Sequence, residues 1–144
     1  MATTEADRLR QFAITRRLEA AGFRAWPATS THYDGTWAVR LTTSFPAKRL
    51  NSVNPLDPSD DRDIEGRIAR ARAHFAAAGR ELIFRQSPLA PPALKAHLDA
   101  EGWESFGESV VFTADLATLD LSDALDRIPI RDAERYLDAS LRVH

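Results

Sequence analysis

The chain contains no cysteine. That excludes disulfide scaffolds, thiolate zinc sites and cysteine nucleophiles, and it agrees with a reducing setting. No apolar run approaches the roughly 18 residues that crossing a bilayer takes, and "MATTEADRLRQ" lacks the apolar core of a secretory signal. A cytoplasmic protein with no membrane segment is expected. Positive charge is not in excess either: 19 Lys and Arg stand against 21 Asp and Glu, a net charge of −2. No general attraction to nucleic acid or to an acidic membrane follows from such a balance. The four histidines, His32, His74, His97 and His144, show no HxxxH or HExxH spacing, so no metal centre is expected. Ser87 lacks the G-x-S-x-G context of a nucleophilic serine.

What remains is an ordinary globular composition, 44% hydrophobic and 28% charged over 144 residues, enough for one domain around one core. Residues Thr4 to Gly22 are dense in helix formers, with Leu9, Phe12, Ala13, Ala20 and Phe23 loosely on one face and Gly22 placed as a stop. Pro27 and Asp34-Gly35 read as breakers. "TWAVRLTTS" alternates, Trp37, Val39 and Leu41 against Ala38, Arg40 and Thr42, which predicts a strand with one buried face. "KRLNSVNPL" supplies its hairpin partner, ending at Pro55. Ile64, Ile68, Ala71, Phe75 and Ala78 form one helical stripe closed by Gly79. "ELIFRQS" reads as a short strand, and "PLAPPALKAHLDAEGW" as a helix started by Pro91 or Pro92 and ended by Gly102. "ESVVFTADL" alternates as a last strand, and "RDAERYLDASLRVH" reads as a helix with Asp132 as its cap. The expected fold class is α/β (α+β), a mixed sheet flanked by helices in the order α-β-β-α-β-α-β plus a C-terminal helix. The expected division is a domain over 1–116 and an extension over 117–144.

"NPLDPSDDRDIEGR" concentrates charge: Asp57, Asp60, Asp61, Asp63 and Glu65 against Arg62. Asp61, Asp63, Glu65 and Gly66 match the first half of a calcium loop, but the twelfth position, which needs a bidentate carboxylate, is Arg72. The alternative is a helix start in which Ser59 or Asp60 caps and the other carboxylates complement the dipole. Arg67, Arg70 and Arg72 read as the wet face of that helix. Ligands of α/β sheets collect at the C-terminal strand ends, where Arg49, Asn51, Asn54, Gln86 and Ser87 are the candidate ligand-binding residues; turn capping is their plainer role. No residue stands out as catalytic.

The element order, with "RLNSVNPL" at Arg49 to Leu56, "RIARARAHFAAAG" at Arg67 to Gly79 and "FRQSPLAPPALKAHLDAEGW" at Phe84 to Trp103, resembles the GNAT superfamily of acetyl-CoA-dependent N-acetyltransferases. More narrowly it is similar to the divergent N-terminal half of two-part bacterial GNAT proteins. There a segment like "AERYLDASLRVH" leads on into the acetyl-CoA-binding half, so either a free-standing domain or one part of a longer protein is expected. The resemblance implies acetyl-CoA as a possible cofactor, and it implies pairing with itself, as a homo-oligomer, or with a catalytic GNAT half.

In the family a pattern close to [QR]-x-x-G-x-[GA] brings backbone N–H groups and a helix N-terminus to the pyrophosphate of coenzyme A. The matching stretch here is "DPSDDRDIEG", with no glycine before Gly66 and one N–H donor removed by Pro58. The position of the family's general-acid tyrosine is Leu98, which cannot protonate a thiolate. Three functions are therefore carried forward: a GNAT-like module without the standard acetyl-CoA site, an active N-acyltransferase with an atypical site, and a non-catalytic ligand-binding or regulatory domain.

Overall fold

A computed structural model describes residues 4–119 and 132–142. The architecture is α+β. Helix α1 (Glu5–Ala25) is followed by strands β1 (Ser30–Asp34), β2 (Trp37–Leu41) and β3 (Ser52–Pro55), then by helices α2 (Ile64–Ala77), α3 (Pro92–Ala100) and α4 (Ala133–Leu141). The chain divides into two compact units, Met1–Ser105 and Phe106–His144.

The sheet of the first unit is an antiparallel meander in the order β1-β2-β3. His32 pairs with Val39, and Val39 with Val53. The β2–β3 hairpin is as expected, preceded by a 3-10 turn over Lys48–Leu50. β1 is an addition. "STHYD" has no apolar face, because β1 is an edge strand whose residues stay exposed or half-exposed. It turns into β2 through Gly35 and Thr36, with Gly35 at φ 61, as the first position of a tight two-residue hairpin requires.

The expected strand in "ELIFRQS" contracts to a single parallel bridge, Val53 to Phe84. The Val53 N–H donates to Ile83 at 2.8 Å and the Arg85 N–H donates to Val53 at 2.9 Å. Two bonds hold the segment beside β3, but they do not extend into a ladder. The expected strand in "ESVVFTADL" is not formed among the described residues: 106–115 carry no regular structure, and a 3-10 turn follows at Leu116–Thr118. Alternation supplies a face, but without a neighbouring edge to bond the backbone gains no ladder.

The core lies on one side of the sheet. Trp37, Val39, Leu41 and Val53 pack with Ile68, Ala71 and Phe75 of α2 and Leu94 and Leu98 of α3. Phe84 meets Trp37 and Trp103 edge-on, with ring centroids 5.8 and 5.5 Å apart. Helix α2 ends at Gly79 (φ 64), while Pro92 opens α3 and Gly102 (φ 76) closes it, as expected.

β2 differs from the expectation of one wet face, since all five of its residues are buried. The second face, Ala38, Arg40, Ser52 and Asn54, is polar yet dry. Arg40 stacks on Phe23 of α1 at 4.3 Å and donates to the Trp26 and Arg49 carbonyls. Helix α1 itself buries no residue; it runs through Gly22 to Ala25, just before Pro27. Its start is a capping box in which Thr4 Oγ1 accepts the Asp7 N–H at 3.1 Å.

In the second unit Asp132 caps α4 as expected, its Oδ1 accepting the Glu134 N–H at 2.9 Å. Tyr136, Leu137 and Leu141 are exposed. Among the described residues no helix is long and apolar enough to cross a membrane.

Candidate functional site

The loop from β3 into α2 is where the resemblance implies a pyrophosphate cradle. Neither Ser59 nor Asp60 caps the helix. Ser59 donates to Asp57 through its N–H and its hydroxyl, at 2.9 and 2.7 Å. The residue ahead of Ile64 is Asp63, held in the left-handed region at φ 49, ψ 46, with no capping bond from its side chain. Its carboxylate lies over Gly66, where an added Cβ would come within 2.4 Å of Oδ1. The first turn of α2 is thus covered by a carboxylate of its own chain, and Arg70 holds that carboxylate at 3.0 Å.

Asp60 has a structural role instead. It is buried and accepts from the Thr36 N–H at 2.8 Å, the Thr36 hydroxyl at 2.7 Å and Arg67 Nη2 at 3.0 Å. Burial alone would raise its carboxyl, but Arg67 and Thr36 outweigh burial and hold Asp60 well below the usual carboxylate range. Arg67 corrects the expectation of a wet-face arginine. It is buried, stacks over Trp37 at 4.8 Å and also reaches Asp34 Oδ1 at 3.2 Å. Arg70 and Arg72 are exposed, as expected of that face.

The five polar residues picked from the strand ends are spread over several turns. Asn51 is buried; its amide donates to the Phe45 and Ala47 carbonyls at 2.8 and 3.0 Å, and its oxygen accepts the Thr42 N–H at 2.8 Å. Asn54 is buried and donates to the Ser52 carbonyl at 3.0 Å. Arg49 lies over Trp26 at 4.8 Å. Ser87 Oγ accepts the Leu89 N–H at 3.2 Å, and Gln86 is exposed. Leu98, where the resemblance implies a tyrosine, belongs to the core.

A cleft that the sequence did not announce opens between the β1–β2 hairpin and α2, with a volume of about 530 Å³. Its apolar floor is Trp37, Val39 and Ala71. His32 from β1 and His74 from α2 meet edge-on with centroids 4.7 Å apart, although they are distant in sequence. Opposite them Asp34 Oδ2 accepts from Arg70 Nε at 3.0 Å, while Oδ1 is taken by Arg67. Trp37 Nε1 is buried without a hydrogen-bond partner among the described residues. The available signal was the Asp34-Gly35 turn ahead of an alternating strand, which marks a hairpin and places His32 opposite Val39. No group of three or more histidine or carboxylate side chains placed to hold a metal ion occurs among the described residues.

A second cleft, of about 660 Å³, lies between α1 and the hairpin, lined by Arg16, Glu19, Phe23, Tyr33 and Asp57. Beside it Arg85 clamps Glu19 through two bonds, at 2.9 and 3.1 Å.

Compared with protein-family models, with curated proteins and with solved structures, the chain finds no match in any of the three.

Proposed function

We propose that the protein is a GNAT-like module that lacks the family's standard acetyl-CoA site and serves as a substrate-side or assembly half, paired with itself or with a catalytic GNAT half. Supporting the family reading is the passage from an antiparallel hairpin through α2 to a segment parallel to β3. The observation that carries the loss of the site is Asp63 over Gly66. A pyrophosphate at the first turn of α2 would meet the Asp63 carboxylate beside the N–H groups it needs. Like charges about 4 Å apart repel by roughly 1 kcal/mol in water and about 4 kcal/mol near a protein surface. That offsets the attraction of a helix terminus, about 0.3–1 kcal/mol at an exposed site. The assembly role rests on Val110, Val111 and Phe112, three large apolar side chains in succession, and on Leu116 nearby, all of them exposed.

Calorimetric titration with acetyl-CoA and desulfo-coenzyme A tests the reading. No heat at about millimolar donor is expected, and a dissociation constant near 1 μM would overturn it. The mass in solution tests the assembly half of the proposal, for which a dimer or higher species is expected.

A further inference from the structure

Spacing along the sequence excludes a histidine metal pair on one element, but it does not test a pair formed across two. His32 is fixed opposite Val39 by the register of the hairpin, and His74 stands beside the core residue Phe75 on α2. Their ring centroids are 4.7 Å apart, edge to face at 82°. Both side chains are exposed, and neither makes a hydrogen bond or an ion pair among the described residues. Each neutral imidazole therefore keeps a nitrogen lone pair that no donor claims. A metal ion sits about 2.0–2.1 Å from an imidazole nitrogen and about 3 Å from the ring centre, so two ligands at neighbouring coordination positions place their centroids about 4.5–5 Å apart. The observed separation matches that spacing. His χ2 is a broad torsion, so the exposed rings can turn their nitrogens toward a shared ion while the backbone stays fixed.

Charge does not oppose a cation here. The arginines of the cleft, Arg67 and Arg70, are matched by Asp34, Asp60 and Asp63. No third histidine or carboxylate joins the pair among the described residues, and the cleft of about 530 Å³ leaves room for water on the remaining coordination positions. Two imidazoles suit borderline transition metals, whereas Ca²⁺ and Mg²⁺ need oxygen ligands.

We propose that His32 and His74 together bind one divalent ion of the Ni²⁺, Cu²⁺ and Zn²⁺ group, each through one ring nitrogen, with water completing the coordination. The bound ion pins the β1–β2 hairpin to α2. Neither Asp63 nor Arg70 takes part, so metal binding and coenzyme A exclusion can each fail without the other.

The test follows the ring C–H signals of His32, His74, His97 and His144 by NMR as Zn²⁺ is added in a non-chelating buffer at neutral pH, each signal assigned by its His→Asn variant. His32 and His74 are expected to shift together and saturate with a dissociation constant of about 10 μM, because the second ligand binds intramolecularly. His97, which faces Glu101 at 3.4 Å one helical turn away, is the internal control and is expected to respond at least about tenfold more weakly. His32→Asn and His74→Asn, both at exposed positions, are each expected to weaken Zn²⁺ by at least about tenfold with an unchanged circular dichroism spectrum. Ca²⁺ and Mg²⁺ at about 1 mM are expected to leave both signals in place. His32 and His74 signals unmoved at about 1 mM Zn²⁺ would overturn the proposal. So would an equal response of His97, full affinity in either folded variant, or a molecular mass that rises in step with the shifts, the mark of single histidines bridging two copies.

Discussion

Arg67 and Asp60 face each other at 3.0 Å with side chains only 5% and 6% exposed. This pair ties the first turn of α2 to the loop after β3 and, through Thr36, to the β1–β2 turn. Removing one member of a buried pair strands the other charge, at a cost of about 3–5 kcal/mol. Arg67→Met is expected to lose stability of that order in urea denaturation. Arg67→Met combined with Asp60→Asn is expected to recover part of the loss, because no charge is then left buried. A loss below about 1 kcal/mol in the single variant would be the behaviour of a surface pair and would contradict the burial.

The same carboxylate sets an acid limit. Asp60 is depressed in the folded protein relative to about 3.9 in an unfolded chain. The stabilisation is therefore complete above roughly pH 4 and is lost as pH falls towards the folded value. Asp60→Asn is expected to be less stable at neutral pH and to show a flatter decline below about pH 4. Equal slopes for the two proteins would show that another carboxylate governs acid unfolding.

Gly35 is constrained twice, by its φ of 61 and by its neighbours. A Cβ there would lie 1.8 Å from Arg67 Nη2 and 2.7 Å from Asp60 Oδ2. Gly79 has a similar φ of 64 but open space around it. Gly79→Ala is expected to cost about 1–2 kcal/mol from the left-handed backbone alone. Gly35→Ala is expected to cost clearly more, because the buried ion pair must also move. Thermal melts of the two variants side by side check this; equal midpoints would contradict it.

These three features mark where the sequence was legible and where it was not. The stripe from Ile64 to Ala78 and the alternation at Trp37, Val39 and Leu41 were readable because they repeat with the period of the element that buries them. Gly79, Pro92 and Gly102 were readable because helix ends need their backbone properties. β1 was not, since an exposed edge strand of polar residues carries no apolar period. Arg67 looks like Arg70 in the sequence. Only the fold brings Asp34 and Asp60 to it, and the burial follows from those partners. The cleft was hidden for the same reason, as His32 and His74 meet only when the hairpin lies against α2. "ESVVFTADL" erred in the other direction, because an alternating segment needs an edge to pair with, and none bonds it among the described residues.

Arg40 holds α1 to the polar face of the sheet. It is buried, its side chain donates to the Trp26 and Arg49 carbonyls, and the dry surroundings lower its pKa. Helix α1 buries no residue of its own, so its C-terminal half is held by Arg40 together with the Arg85–Glu19 clamp and Arg49 over Trp26. Arg40→Ala is expected to cost about 1–3 kcal/mol for the stranded acceptors and to speed amide exchange over 5–25 more than in α2. Uniform acceleration across both helices would contradict the local role.

Asp63 beside Gly66 is proposed to keep a pyrophosphate from the N-terminus of α2. The most direct measurement is the ¹⁵N–¹H spectrum of the Ile64, Glu65, Gly66 and Arg67 amides during addition of acetyl-CoA. These four signals are expected to stay in place up to about millimolar ligand. Saturable shifts at Gly66 and its neighbours in the unmodified protein would contradict it.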